Sequence, residues 1–126
     1  MGENNWFDEL CDGLFGAAEA GDWDRFRAAF ADSASLRQNI GAELPINDAL
    51  SGLTALMSGG MQVRYTNVRR FSGARSGTEL HDAVFTKPDG QTVTLDICVV
   101  IAVDDEGLIT EAHEYLDSGA AMALIS

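Results

Sequence analysis

The feature of this sequence that most constrains its fold is a change of hydrophobic period at residue 62. From there to residue 117 the helical period gives way to a period of two in four segments, which are residues 62–71, 78–87, 92–104 and 108–117. Alternation of this kind is typical of β-strands with one buried face. Short turns join the segments, among them Pro88–Asp89–Gly90, a strong hairpin signal. The pattern predicts a meandering antiparallel sheet.

The first half of the chain has the helical period instead, with apolar residues three and four positions apart. The predicted elements there are a helix capped by Asn4 or Asn5 and ended by Gly21, a second helix capped by Asp22, a strand over residues 35–40, a loop over 41–45, and a third helix capped by Asn47 and ended by Gly59–Gly60. A short helix is also predicted over residues 119–125. Because the helices precede the strands, the order predicts an α+β fold with the helices on one sheet face. The length fits one domain over residues 1–126.

The predicted strand over residues 92–104 is apolar on both faces. One face carries six aliphatic residues, at every second position from Val93 to Val103, and the other carries Cys98, Val100 and Ala102. A strand of this kind is typically buried on both sides. The helices can cover only one of them. We therefore expect a second copy of the chain to cover the other side, in a homodimer packed sheet to sheet.

The charge of the chain excludes several classes of partner. Its 20 acidic and 8 basic side chains give a net charge of −12 at pH 7. Nucleic acids and anionic membranes attract basic surfaces, so neither is expected as a partner. No apolar run is long enough to cross a bilayer, and no amino-terminal targeting pattern is visible. Cys11 and Cys98 have apolar neighbours and indicate free thiols rather than a disulfide, so we expect a cytoplasmic protein.

No standard catalytic or cofactor-binding motif is present. The sequence lacks a glycine-rich phosphate loop, a Cys-x-x-Cys pair, a His-Glu-x-x-His pair and a nucleophile elbow, so no cofactor is expected. His81 and His113 are the only histidines. Two imidazoles on separate predicted strands are a weak signal for a metal, and no metal site is predicted.

Acids interrupt the predicted strands at positions whose same-face neighbours are apolar. Asp82 follows Leu80 on one face, and Glu114 lies between Ala112 and Leu116. Desolvation raises the pKa of a carboxyl group that has no charged partner, and a pKa near neutrality suits general acid–base catalysis. In the alternative, each acid forms a salt bridge or faces solvent.

Four other residues are weaker candidates. Asp96 also interrupts an apolar alternation, with a salt bridge as the simpler explanation. Asn39 ends a predicted strand and is equally suited to a turn or cap role. Tyr65 can donate a hydrogen bond from a pocket wall or pack in the core, and Trp23 suits the core or its rim.

Three short segments stand out beside the predicted order of elements. They are residues 21–34, residues 104–109 (Asp-Asp-Glu-Gly-Leu-Ile) and residues 114–117 (Glu-Tyr-Leu-Asp). Together they resemble the nuclear transport factor 2-like superfamily, in its SnoaL-like branch, and the resemblance covers nearly the whole chain. It implies a cone-shaped, curved antiparallel sheet wrapped around the N-terminal helices, with a pocket between them. It also implies a homodimer, as in many members.

The residues around two of the acids resemble the catalytic set of limonene epoxide hydrolases, which belong to the same superfamily. Arg37–Gln38–Asn39 is similar to a Tyr-Gln-Asn stretch of that family, which implies that Asn39 positions a water molecule. Asp82 and Glu114 fall on its two catalytic aspartates. Leu80 stands where that family has an arginine between the two acids. Without that arginine, one of the two carboxyl groups is expected to stay protonated.

Two other enzyme groups of the superfamily indicate different chemistry. SnoaL-like polyketide cyclases carry a catalytic acid on the last strand after a Gly-x-Ile turn, and Gly107–Leu108–Ile109 followed by Glu114 is similar. Ketosteroid isomerases use a tyrosine and two aspartic acids at positions that hold Leu14, Gln38 and Val99 here. Because none of these matches, ketosteroid isomerase chemistry is not expected.

The sequence leaves two functions open. In the first, a cofactor-independent acid–base enzyme, similar to polyketide cyclases, isomerases or epoxide hydrolases, binds a small apolar ligand of polyketide or terpenoid type, and Glu114 and Asp82 transfer protons. The residues predicted to contact that ligand are Asn39, Tyr65, Leu80, Val99, Ala112, Leu116, Leu14 and Trp23. In the second, the same fold is a non-catalytic ligand-binding or dimeric interaction module. The two hypotheses differ in whether Asn39, Asp82 and Glu114 meet at one cavity.

Overall fold

The computed structural model describes residues 6–39 and 41–125, which form four helices and one sheet. In chain order the elements are α1 (Trp6–Ala20), α2 (Trp23–Ala28), β1 (Phe30–Gln38), β2 (Glu43–Pro45), α3 (Ile46–Met57), β3 (Gln62–Ser72), β4 (Ser76–Thr86), β5 (Thr92–Val103), β6 (Ile109–Tyr115) and α4 (Ser118–Met122). The predicted α+β class is confirmed. Asn4 and Asn5, predicted to cap α1, lie outside the described residues.

One sheet contains all six described strands, in the order β2-β1-β6-β5-β4-β3. Strands β3 to β6 form the antiparallel meander that the period of two predicts. Strand β1 pairs in parallel with β6 and antiparallel with β2. It begins at Phe30 rather than at residue 35, and its register shifts between Phe30 and Ser35. That irregularity removes the alternation by which the first half of β1 would have been recognised.

A second irregularity bends strand β3. Its pairing with β4 shifts between Thr66 and Arg69, and Asn67 between them has a φ of 53°. A bulge of this kind increases the local twist of a strand and curves the sheet. The bend therefore contributes to the curved sheet that the resemblance implies.

The helices cover one face of the sheet, which we call the inner face. The residues that α1 buries recur at helical spacing and are Phe7, Cys11, Leu14, Phe15, Ala17 and Ala18. The residues that β5 buries alternate along the strand and are Leu95, Ile97, Val99 and Ile101. Gly77 on β4 lets the Phe7 ring of α1 approach the sheet closely, since a Cβ atom at this position would lie 2.7 Å from that ring. The core therefore lies between α1 and the inner face.

Turn chemistry agrees with the sequence at the second helix but not at the third. Gly21 ends α1 with a φ of 71°, and the Asp22 carboxylate accepts a hydrogen bond from the Arg25 backbone N–H at 3.1 Å. Helix α3 starts one residue before Asn47, and no side chain caps it. The Asn47 side-chain oxygen instead accepts a hydrogen bond from Arg27 Nε at 2.8 Å, so the predicted cap is wrong.

The opposite face of the sheet, which we call the outer face, carries apolar side chains without helices over them. Val100 is 39% exposed, and Phe71 and Tyr115 are exposed as well. None of the helices in the described part of the chain is long and apolar enough to span a membrane.

Candidate active site

A cavity of about 380 Å³ lies between the helices and the inner face. Most of its wall is apolar and comes from α3, from the inward side chains of the sheet and from the carboxyl-terminal segment, including Leu50, Leu53, Met57, Val63, Phe85, Leu95 and Leu124. Three polar side chains interrupt this wall, and they are Gln38, Tyr65 and Glu114. The volume suits a compact organic ligand, and an apolar wall with a few convergent polar groups is typical of ligand sites.

Glu114 is the one carboxylate among the described residues that line the cavity. It lies on β6, directly beside Gln38 of β1 in the parallel pairing. Gln38 Nε2 donates a hydrogen bond of 2.8 Å to Glu114 Oε1. Among the described residues no hydrogen bond reaches Oε2. One carboxylate oxygen is therefore fixed, while the other is available to a ligand.

Tyr65 of β3 contributes a phenol to the same cavity. Burial raises the pKa of this phenol far above its ordinary value, and the negative charges of Glu114, Glu19 and Glu79 raise it further. The hydroxyl therefore keeps its proton across the physiological range. A phenol that stays neutral beside a carboxylate is a hydrogen-bond donor rather than a base.

A buried polar network lies beside the cavity, and the sequence analysis missed it. Glu79 and His81 of β4 are both buried, and His81 Nδ1 lies 2.5 Å from Glu79 Oε2. Arg70 of β3 donates from Nε to Glu79 Oε1 at 2.7 Å. The same guanidinium forms salt bridges with Asp8 and Asp12 of α1, at 3.2 and 2.9 Å. The arginine thus compensates the charge of the buried carboxylate and ties α1 to the sheet.

The thiol of Cys11 adjoins this network. Burial raises its pKa, and the negative charge of Glu79 raises it further. Cys11 is fully buried and free, so its thiol is a packing group rather than a nucleophile. Elsewhere in residues 6–39 and 41–125, no three His, Cys, Asp or Glu side chains group closely enough to hold a metal ion.

Comparison with known proteins adds the fold but no activity. No protein-family model and no curated protein matches the sequence. A candidate polyketide cyclase from Xanthomonas campestris pv. campestris is similar with a TM-score of 0.80 and 19% identity, over 97% of this chain and 98% of its own. An LEH-like epoxide hydrolase from M. tuberculosis is similar with a TM-score of 0.76 and 17% identity, over 97% of this chain and 90% of its own. An NTF2-like protein from Burkholderia xenovorans LB400 is similar with a TM-score of 0.75 and 16% identity, over 97% of each chain. The chain has the nuclear transport factor 2-like fold.

Four of the predicted site residues line the cavity. They are Glu114, Tyr65, Trp23 and Leu116. Three others, Leu14, Val99 and Ala112, are buried in the core and are absent from the cavity wall. These three residues, predicted to contact a ligand, therefore belong to the hydrophobic core and lie away from the wall of this cavity.

Asn39 and Asp82 do not join Glu114. The Asn39 side chain exchanges two hydrogen bonds with the backbone of Leu116, at 3.1 and 3.0 Å, and so joins the ends of β1 and β6. Asp82 and Leu80 lie on the outer face, where they line a separate open depression of about 470 Å³. The sequence left open whether Asn39, Asp82 and Glu114 meet at one cavity. In the structure they do not, and Leu80, predicted to contact the ligand, does not line the cavity either.

On β4, the side chains predicted to face the cavity are one position away from those that face inward in the structure. Successive side chains of a strand point to opposite faces, so such a shift exchanges the inward and outward sets. Glu79, His81 and Ala83 are buried, whereas Leu80 and Asp82 alternate with them. The same shift explains why Gln38, and not Asn39, faces the cavity in this nuclear transport factor 2-like fold.

On the outer face, Asp82 and Asp96 are direct cross-strand partners that form a carboxyl pair. A hydrogen bond from Asp96 and another from Asn67, of 2.7 Å, lower the pKa of Asp82. The hydrogen bond with Asp82 and the negative charge of that group raise the pKa of Asp96. A raised pKa means that Asp96 stabilises the fold only while protonated, and that its contribution is lost as the pH rises through its folded-state pKa.

We expect Asp96→Asn to be more stable than the wild type at about pH 7, with the difference closing towards about pH 3. The amide keeps a donor for Asp82 at every pH and removes the repulsion between two carboxylates. The stabilisation that Asp82 contributes through its lowered pKa is lost at still lower pH. This loss occurs in both proteins and leaves their difference unchanged. Thermal unfolding across this range measures the difference. A difference in stability that does not change with pH would contradict the hydrogen bond between the Asp82 and Asp96 carboxyl groups.

Proposed function

We propose that the protein is a cofactor-independent enzyme that moves protons on a small, largely apolar substrate held in the cavity, with Glu114 as the acid–base group. The observation that supports this best is a single carboxylate in an apolar cavity, oriented by the Gln38 amide through a hydrogen bond of 2.8 Å. An oriented carboxylate with one available oxygen can accept and return a proton without a cofactor.

The three polar groups have complementary roles in the proposed reaction. Glu114 Oε2 removes a proton from the carbon next to a carbonyl group, and the electrons of that C–H bond move to the carbonyl oxygen. Tyr65, which keeps its proton, donates a hydrogen bond to the resulting enolate oxygen. Gln38 holds the carboxyl group in place throughout. Where a double bond is conjugated with the enolate, return of the proton at the far carbon gives isomerisation. Where the enolate carbon attacks a second carbonyl, the π bond of that carbonyl breaks, the ring closes, and the new alkoxide oxygen takes the proton from Glu114.

The wall of the cavity favours isomerisation and ring closure over epoxide hydrolysis. Hydrolysis needs a positioned water and a second acid, the roles that the resemblance implies for Asn39 and Asp82. Asn39 is occupied by the backbone of Leu116, and Asp82 lies on the outer face. A carbonyl substrate of polyketide type needs only the groups present, and a candidate polyketide cyclase shares this fold over 97% of the chain.

The second candidate is a non-catalytic binding module with the same cavity. The observation that favours it is that Asn39 and Asp82 do not meet Glu114 at the cavity, which is the feature on which the two hypotheses differ. Among the described residues, Glu114 is thus the one acid that lines the wall. In that case apolar ligands would raise the melting temperature, whereas no substrate would be converted. Thermal-shift measurements with apolar ligands, run beside activity assays, separate the two candidates.

The proposed function is tested by assaying small ketones, β-keto compounds and epoxides with the wild type and with Glu114→Gln. Turnover of a ketone or β-keto compound by the wild type, lost in the variant, is the expected result. Equal turnover in both proteins would contradict the role of Glu114. Turnover of epoxides alone would favour hydrolysis and contradict the enolate mechanism.

A homodimer in the cytoplasm completes the proposal. The outer face offers exposed apolar side chains at Phe71, Val100 and Tyr115. Pairing of two such faces would remove them from water, which stabilises association in proportion to the apolar area buried. Sedimentation analysis is expected to give twice the mass of one chain. A monomer at every accessible concentration would contradict the dimer.

A further inference from the structure

His81 Nε2 is the only buried side-chain nitrogen or oxygen in residues 6–39 and 41–125 that has no hydrogen-bond partner. The residue as a whole is 3% exposed, so water does not reach this atom in the structure. Buried polar atoms nearly always have a partner, because burial without one costs free energy. A lone exception in the interior calls for a functional explanation.

The imidazole is held in one orientation. Its Nδ1 lies 2.5 Å from Glu79 Oε2, and Arg70 Nε binds the other oxygen of that carboxylate at 2.7 Å. Arg70 is anchored in turn by Asp8 and Asp12 of α1. A carboxylate beside Nδ1 fixes the tautomer that carries its proton there. In the neutral imidazole, Nε2 then presents a lone pair and is a hydrogen-bond acceptor.

The ring packs against residues of the cavity wall, and His81 is also among the residues that line the outer depression. Its centroid is 4.6 Å from that of Tyr65 and 4.9 Å from that of Phe15, and both of these rings line the cavity. Ala83, the next inward residue of β4, and Ile97, the partner of His81 on β5, line the cavity as well. Cavity-lining side chains thus adjoin His81 on several sides. The Phe15 and Tyr65 rings are thus the groups that a ligand in the cavity would have to displace to reach the imidazole.

We propose that His81 Nε2 accepts a hydrogen bond from a hydroxyl group of the ligand, so that the cavity selects compact ring compounds bearing an enol or phenol hydroxyl. Glu79 and Arg70 are positioning residues, because they fix the imidazole and do not touch the ligand. The inference rests on the proposed function only in placing the ligand in this cavity. An enol hydroxyl forms when the proton taken from a carbon next to a carbonyl group is returned to the carbonyl oxygen.

Nitrogen NMR of the wild-type protein labelled with ¹⁵N-histidine tests this directly. The protein has two histidines, and His113→Gln assigns their signals. The probes are p-cresol and p-xylene, which differ by a hydroxyl in place of a methyl group. We expect p-cresol to move the His81 Nε2 resonance towards its protonated value, and p-xylene to leave it in place. No response to p-cresol, or equal responses to both probes, would overturn the proposal.

Binding measurements with His81→Phe add a second test. The variant keeps an aromatic ring and removes Nε2, so the affinity for p-cresol is expected to fall about threefold to tenfold while that for p-xylene is retained. An unchanged preference for p-cresol over p-xylene would contradict the proposal. If the variant does not fold, the wild-type NMR experiment still decides. Both readouts are of binding, so failure of Glu114→Gln to lose turnover would contradict the proposed reaction and leave this inference standing.

Discussion

Replacing Glu79 by leucine is expected to lower the free energy of unfolding by about 3–5 kcal/mol, because it removes one partner from a buried charged network. Glu79 is fully buried and bonds both Arg70 and His81. Leucine would leave the guanidinium beside an apolar side chain and the imidazole Nδ1–H without an acceptor. Urea unfolding followed by circular dichroism measures the loss.

Glu111→Leu on β6 is the matched control for this change. Glu111 is an exposed strand residue, so the same substitution there is expected to change the free energy of unfolding by less than about 0.5 kcal/mol. A loss below about 1 kcal/mol for Glu79→Leu would show that the network contributes little and that α1 is held by its apolar stripe alone.

Glu114→Gln is expected to reduce the turnover of any substrate found for the wild type by about 10²–10⁴-fold, the usual contribution of a positioned acid–base group. The amide has nearly the size of the carboxyl group and cannot accept a proton at neutral pH. Because Glu114 is only half-buried, the fold should be retained, with a stability change within about 1 kcal/mol. Initial rates at saturating substrate measure the effect.

Glu111→Gln on the same strand provides the control, since Glu111 is exposed and is not part of the cavity wall. Its turnover should equal that of the wild type. A loss of similar size in both variants would indicate an effect of net charge. A Glu114→Gln enzyme that keeps its rate but binds substrate more weakly would make Glu114 a binding group.

Several parts of the fold could be predicted because their signals are local. The period of two in residues 62–117 and the hairpin at Pro88–Asp89–Gly90 correspond to β3 through β6. Glu114 could be placed on the inner face because Ala112 is apolar and buried and Leu116 lines the cavity. In each case the neighbours along the chain carry the information.

The inward face of β4 could not be predicted in the same way. Leu80 is apolar but lies on the outer face, while the charged Glu79 and the polar His81 are buried. Burial of Glu79 depends on Arg70 from another strand and on Asp8 and Asp12 from α1. Such partners are distant in sequence, so hydrophobic alternation alone assigns the wrong face. The parallel pairing of β1 with β6 cannot be predicted from hydrophobic alternation either, because the two strands are distant in sequence.

The central claim is that the cavity beside Glu114 is where a carbonyl substrate reacts, and a crystal structure with bound 2-acetylcyclohexanone tests it most directly. We predict the ligand in the cavity, with the carbon that loses its proton about 3–3.5 Å from Glu114 Oε2 and a carbonyl oxygen bonded to the Tyr65 hydroxyl. A ligand on the outer face beside Asp82 and Asp96, or one in the cavity turned away from Glu114, would contradict the claim.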